Sequence, residues 1–121
     1  MKALLIRTHE APKTIDINNT LADLQKAVGG YIEAVYPFAD TVAIVCDEEG
    51  KLKGKEGNRY LCNDGIAYDM IAGAFLIVGL SDEDFTDLTP EQIKRYTALC
   101  YMENIDTDLT IEEMDNLAEF F

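Results

Sequence analysis

The chain has very little histidine, because His9 is the only one in its 121 residues. A zinc site or a nucleophile–base pair would have to be built on this residue. It stands beside Glu10 where the first strand should end, which is typical of an ordinary surface histidine. The sequence also lacks G-x-S-x-G, and no cysteine has a neighbouring base. These absences favour a non-enzymatic protein and leave catalysis open.

Cysteine is scarce and widely spaced: Cys46, Cys62 and Cys100 form no C-x-x-C pair. Two of the three lie inside apolar segments. This placement predicts reduced, buried cysteines that act as small hydrophobic residues.

The glycine patterns that hold phosphates are missing, since neither G-x-x-x-x-G-K-[ST] nor G-x-G-x-x-G occurs. Asp106-Thr107-Asp108 resembles the start of a calcium loop, but it lacks the central glycine. Glu112 also falls too early for the bidentate calcium ligand. We therefore expect no metal and no cofactor.

No apolar run is long enough to span a bilayer, and the opening MKALLIRTHE has no signal-peptide hydrophobic region. We expect a soluble, cytoplasmic protein without a membrane partner.

Positive charge is scarce in the last third of the chain. The net charge is −13; residues 1–80 carry 11 acids and 8 bases, whereas residues 81–121 carry 12 acids and 2 bases. Such a field repels nucleic acid and favours cationic partners. Solubility alone is the alternative explanation of an acidic surface.

Local patterns predict most of the secondary structure. Residues 3–6, 13–17 and 31–36 read as strands, and the continuous apolar runs 42–46 and 74–78 read as strands buried on both faces. Thr20 caps a short helix that Gly29 and Gly30 end, and we expect Gly30 to adopt a positive φ there.

The acidic third predicts two helices. Thr89-Pro90-Glu91-Gln92 is a capping box with proline at the first helical position, and Thr110 to Glu113 repeats the design. Residues 104–109 would join the two helices as a hairpin.

The predicted fold is α+β: a mixed or antiparallel sheet of about five to six strands, one short helix after the second strand, and a C-terminal helical hairpin. We expect one domain over residues 1–121. Residues 1–80 would form its sheet-rich core and residues 81–121 an acidic helical hairpin.

The central region carries two possible ligand-binding features. Four bases lie close together at Lys51, Lys53, Lys55 and Arg59, which favours a solvated hairpin rim over a phosphate site. Glu33 and Asp69 would be an acid–base pair if they met in a cleft, but Glu33 would equally suit the exposed face of its strand.

Several segments occur in a familiar order: MKALLIRTHEAPKTIDI, LADLQKAVGGYIEAVYPF and YDMIAGAFLIVG, with VGGYIE the most specific. Over roughly residues 1–80 the chain resembles a family of small proteins from Firmicutes, their phages and mobile elements. That family is known only as a domain of unknown function (3846). The resemblance implies a fold and a mobile-element setting but no reaction. The family's recurrent positions correspond here to Gly29, Gly30, Glu33, Gly50, Asn58 and Gly73.

Three functions are compatible with these observations. The first is a protein-interaction module, in its most specific form a nucleic-acid mimic opposing a host defence system, that binds a cationic host protein and not nucleic acid itself. Its acidic surface would be formed by Asp82, Glu83, Asp84, Asp87, Glu112, Asp115 and Glu119.

The second is a small-ligand domain with Glu33, Asn58 and Arg59 around a pocket for a nucleotide-like metabolite. The third is an accessory domain whose charge serves only solubility. In each case Gly29, Gly30, Gly50 and Gly73 are expected to be structural.

Overall fold

A computed structural model describes all residues, 1–121, as nine strands and three helices. The elements are β1 (Lys2–Ile6), β2 (Lys13–Asp16), α1 (Leu21–Val28), β3 (Ile32–Val35), β4 (Val42–Asp47), β5 (Gly57–Asn63), β6 (Ile66–Ala72), β7 (Phe75–Leu80), β8 (Phe85–Thr86), α2 (Pro90–Leu99), β9 (Asn104–Asp106) and α3 (Ile111–Ala118). The predicted α+β class is confirmed.

The larger sheet is antiparallel and has the strand order β2-β1-β7-β4-β3, with β8 paired to β7. Its two central strands, β4 and β7, are buried on both faces, as their continuous apolar runs predicted. Alternate residues of β4 and β7 point into two separate cores. Ile44 and Ile77 contribute to one, while Val45 and Leu76 contribute to the other, beneath α1.

A second sheet of three strands, β6-β5-β9, was not predicted. β5 lies in a stretch that reads as a polar loop, and β9 lies in the expected helix–helix connection. β9 pairs in parallel with β5 and places Ile105, which is fully buried, in the core on that side of the larger sheet. The parallel partner is about forty residues away in sequence, so no local pattern marks this pairing.

The helices begin where their caps predict. Thr20, Thr89 and Thr110 each accept a backbone hydrogen bond, and the last two complete capping boxes with Gln92 and Glu113. α2 and α3 pack against each other, with Tyr96 and Met114 in the shared core. None of the three helices has both the length and the apolar content that crossing a membrane requires.

Of the two glycines predicted to end α1, only Gly29 has the left-handed conformation. Gly29 adopts the positive φ of +77°, whereas Gly30 does not have a positive φ. At Gly30 the constraint is space, because a Cβ atom would lie 2.5 Å from both Asp47 Oδ1 and Lys53 Nζ. The expectation that Gly30 needs φ > 0 is therefore wrong, although the position still requires glycine.

We predict that Gly30→Ala lowers the free energy of unfolding by about 2 kcal/mol, because the new methyl group overpacks a buried carboxylate and its lysine. Gly54→Ala is the matched control: Gly54 has φ +72° but nothing within 4 Å of the added Cβ, so only backbone strain of about 1 kcal/mol is expected. Urea unfolding of both variants measures the difference. A Gly30→Ala variant that is as stable as wild type would show that crowding at Gly30 is unimportant.

Candidate functional site

A buried carboxylate organises the region that the family resemblance marks. The side chain of Asp47, at the end of β4, is fully buried and binds Lys53 Nζ at 2.9 Å and Lys55 Nζ at 2.7 Å. Lys55 Nζ also donates to the carbonyl of Val28 at 2.9 Å, in the last turn of α1. We call Asp47, Lys53 and Lys55 the Asp47 cluster. It joins α1, β4 and the loop after β4.

The protonation of Asp47 follows from this geometry. Burial alone would raise the pKa of its carboxyl group, but hydrogen bonds from Lys55 and Lys53 outweigh that effect and hold the pKa at about 2. The carboxylate is therefore charged at neutral pH. Two of the four bases of the central region are used in this way, which fits a structural role better than phosphate binding.

The four glycines predicted to be structural all lie against the Asp47 cluster or its loop. A Cβ atom at Gly29 would lie 3.0 Å from Lys55 Nζ, and one at Gly73 would lie 2.7 Å from Lys55 Cδ. At Gly50 an added Cβ would meet the Ala72 carbonyl at 2.8 Å. Together with Gly30, they allow backbone and lysine side chains to approach closely.

Next to the Asp47 cluster lies a cleft of about 170 Å³ between the edge strands β3 and β6, which we call the β3–β6 cleft. Glu33 is the cross-strand partner of Cys46, so its side chain projects from the same face of the larger sheet. Asp69 lines the cleft from β6. The structure thus brings together the two carboxylates whose meeting the sequence left open.

Asp69 is already engaged within the chain. Lys51 Nζ donates to Asp69 Oδ1 at 2.5 Å, and this hydrogen bond lowers the pKa of the Asp69 carboxyl group. Burial raises the pKa of the Cys46 thiol to about 11, with further contributions from the negative charges of Glu33, Asp47 and Asp69. The cleft therefore holds a protonated thiol in a negative electrostatic environment.

Neither Asn58 nor Arg59 lines this cleft with Glu33. Asn58, 2% exposed, donates to the carbonyls of Ile6 and Gly73, each at 2.9 Å, and accepts from Arg59 Nη1 at 2.6 Å. Arg59, 3% exposed, donates from Nε to the carbonyl of Cys100 at 3.0 Å. The predicted single pocket around Glu33, Asn58 and Arg59 is therefore wrong. Asn58 and Arg59 instead form hydrogen bonds that join β5 to other elements.

A second cleft, open and about 270 Å³, lies where Arg59 reaches the surface beside His9 and Tyr101. Arg59 Nη2 donates to the carbonyl of Glu10 at 2.8 Å on the wall of this cleft. His9 Nε2 lies 2.7 Å from Glu56 Oε1 in an exposed pair. No three histidine, cysteine, aspartate or glutamate side chains are grouped so that they could hold a metal ion.

Of the seven acids assigned to an acidic surface, five are exposed and hold no distant part of the chain. They are Asp82, Glu83 and Asp84 in the turn before β8, and Glu112 and Glu119 around α3. The other two have long-range partners within the chain. Asp87 Oδ1 accepts from the backbone N–H of Lys2 at 2.6 Å, and Asp115 binds Arg95 Nε at 2.6 Å.

Sequence reasoning missed the arginine at the centre of this region. Arg95 is buried and also binds Asp40 Oδ2 at 2.7 Å, to which the Tyr96 hydroxyl donates at 2.8 Å. Its place three residues before Ala98 and four before Leu99, both buried, is the helical spacing that could have revealed it. The hydrogen bond from Arg95 lowers the pKa of the Asp115 carboxyl group.

We predict that the Asp47 cluster loses its stabilising effect in acid. Because the folded pKa of about 2 lies below the ordinary value of 3.8, the contribution is complete above pH 3.8 and is lost as the pH falls towards 2. The stability difference between wild type and Asp47→Asn should therefore narrow across that interval. Asp16→Asn, which removes an exposed ion pair with Lys2, is the control and should run nearly parallel to wild type. Parallel curves for both variants would contradict the assignment.

We predict that the thiols react slowly in the native protein. Burial raises the pKa of Cys100 to about 12 and that of Cys46 to about 11, so little thiolate is available at neutral pH. Labelling with a chromogenic disulfide should be slow for native protein and rapid after denaturation. Rapid labelling of a native cysteine, located by peptide mapping, would give that residue a chemical role.

Comparison with known proteins places the chain in a family. The sequence model of one family, a domain of unknown function (DUF3846), matches residues 1–101. The matched segment includes the Asp47 cluster, the central residues of both clefts and all of α2. No curated protein and no solved structure matches the chain. Because the match covers well over half of its residues, the chain belongs to the DUF3846 family.

Proposed function

We propose that this protein is a non-enzymatic protein-interaction module whose acidic C-terminal third binds a cationic partner. The proposal rests on the burial of one of the two bases in residues 81–121. Arg95 is buried and held by Asp40 and Asp115, which leaves Lys94 as the only exposed base of that segment. The surface there has almost no positive charge to offset its acids.

Five acids form the core of the proposed surface: Asp82, Glu83, Asp84, Glu112 and Glu119. We define these five as the acidic surface. Their side chains are exposed and hold no other element in place, so their charge is available to a partner. A concentrated negative field accelerates encounter with a positively charged protein and disfavours contact with nucleic acid.

Nucleic-acid mimicry is the more specific form of this proposal. Glu112 and Glu119 are seven residues apart on α3 and its C-cap, which corresponds to roughly 10 Å along a helix. Phosphates of one DNA strand recur about every 3.4 Å along the duplex axis, so this spacing fits about three phosphate steps. The resemblance to phage and mobile-element proteins supports a nucleic-acid-binding host protein, such as a defence factor, as the partner.

A nucleotide-sized ligand is less favoured. The polar groups of Asn58 and Arg59 already donate to carbonyls of the chain, and Glu33 lies in a different cleft from Arg59. The β3–β6 cleft, about 170 Å³, is also below the range of about 300–1,000 Å³ that is typical of pockets for drug-sized ligands. The other alternative is that the negative charge serves only solubility. Comparison of two charge-neutralised variants distinguishes this explanation from partner binding.

We predict that neutralising the acidic surface abolishes partner binding without unfolding the protein. The variant carries Asp82→Asn, Glu83→Gln, Asp84→Asn, Glu112→Gln and Glu119→Gln. Its melting temperature should equal or exceed that of wild type, because exposed charges contribute little individually and like charges repel. Wild-type protein should capture a basic host protein from a Firmicutes lysate and release it at moderate salt, whereas the variant should not retain it.

The matched control removes the same charge elsewhere, at five exposed acids outside the last third: Glu10, Asp16, Glu49, Glu56 and Asp64. This control should keep most of the binding if the acidic surface is the contact. Equal losses in both variants would indicate net charge rather than a surface. Unchanged binding by the acidic-surface variant at low salt would refute the proposal, and reduced solubility with unchanged binding would favour the solubility explanation.

A further inference from the structure

The β3–β6 cleft has a carboxylate at its rim that no cation of the chain neutralises. Glu33 on β3 is the cross-strand partner of Cys46 on β4, so it projects from the same face of the larger sheet as Cys46. The side chain of Glu33 is nevertheless exposed. The ion pairs of the cleft omit it, because Lys51 binds Asp69 while Lys53 and Lys55 bind Asp47. Its charge is therefore available to a ligand that enters the cleft.

Apolar side chains form part of the walls of the cleft. Val35 on β3, Leu61 on β5 and Ile71 on β6 line it beside the carboxylates. Cys46, which is 8% exposed, also lines the cleft, and its thiol, kept protonated by burial, adds no charge there. Glu48 adds a second carboxylate outside the internal ion pairs. The cleft thus combines a few apolar side chains with two carboxylates that lie outside the internal ion pairs.

We propose that the β3–β6 cleft binds an organic cation, namely an ammonium or guanidinium group carried on a short apolar stem. The charged group would lie between Glu33 and Glu48, and the stem would lie on Val35, Leu61 and Ile71. Charge-assisted hydrogen bonds to carboxylates are the strongest that such a group forms. The volume of about 170 Å³ fits a chain of a few atoms rather than a nucleotide.

Lys51 makes a contact of this kind from within the chain. Its ammonium group binds Asp69 at the cleft wall, at 2.5 Å. It therefore competes with an entering cation for Asp69. Removing it should expose a further carboxylate to the ligand, which gives the proposal a variant that gains affinity rather than losing it.

The site is separate from the acidic surface and does not depend on the proposed function. The cation has two chemical sources: a free small amine, or a lysine or arginine side chain on a partner protein. Both present the same group on the same kind of stem. A partner's side chain can enter only if its peptide backbone fits at the mouth of the cleft, between β3 and β6. A free amine has no such requirement.

The test is an NMR titration of the full ¹⁵N-labelled chain with n-butylammonium, and with n-butanol as the neutral probe of similar shape. Butylammonium should shift the amide signals of β3, β4 and β6 with a dissociation constant of about 1 mM, as expected for so few atoms. Butanol should shift them much less. Nα-acetyl-lysine methylamide then identifies the source: binding as tight as butylammonium indicates a partner's side chain, and exclusion indicates a free amine. Either result supports the site.

Three variants make the test specific. Glu33→Gln should weaken butylammonium binding about tenfold, corresponding to loss of one charge-assisted contact. Lys51→Met should strengthen it several-fold. Glu49→Gln is the matched control, because Glu49 is exposed, lies beside Glu48 in sequence and does not line the cleft. Its effect should stay within about twofold, since only long-range charge is lost.

Several results would overturn the proposal. Equal shifts with butanol would indicate an apolar cavity without cation selectivity. Equal weakening by Glu33→Gln and Glu49→Gln would indicate attraction by the net charge of −13 alone. An absence of shifts in the three strands, with the spectrum otherwise that of the folded protein, would show that the cleft takes no such ligand. The Glu33→Gln spectrum also reports whether that variant remains folded.

Discussion

The ion cluster at Asp47 is the constraint on which the surrounding structure depends. A buried carboxylate is costly to desolvate, and it is tolerated here because Lys53 and Lys55 both reach it and Glu49 donates a backbone hydrogen bond. The same lysines bind carbonyls at the end of α1, so one charge aligns a helix, a strand and a loop. This cluster also explains the nearby glycines, because side chains at those positions would displace the lysines or the backbone.

Two further buried cations join elements distant in sequence. Arg59 links β5 to the end of α2 and to the segment after β1, and Arg95 links α2 to α3 and to the loop before β4. The protein thus uses scarce bases internally, at junctions where several carbonyl or carboxylate oxygens converge. In the last third of the chain, the burial of Arg95 leaves Lys94 as the only exposed base.

The parts of the fold that sequence could predict are those encoded by neighbouring residues. The caps of Thr89 and Thr110, the end of α1 at the glycine pair and the doubly buried β4 and β7 all follow from local patterns. The pairing of β9 with β5 does not, because the two strands lie about forty residues apart. The site was hard to predict for the same reason: the face that Glu33 takes depends on its pairing with Cys46, and Asp87 meets Lys2 across 85 residues. Long-range pairing decides which polar residues are free, and sequence spacing does not contain it.

Where the cation in the β3–β6 cleft is a partner's side chain, the acidic surface and the cleft would act on that partner at different ranges. Exposed acids act through a field that extends about 8 Å at physiological ionic strength, so they affect encounter more than fit. The cleft would offer direct contact instead, because its apolar side chains favour a stem and the carboxylates beside them favour its charged end. Salt should therefore weaken recognition by the surface more than recognition by the cleft. A cationic protein with one accessible lysine or arginine on an extended segment would satisfy both features, and a folded basic domain without such a segment would satisfy only the first.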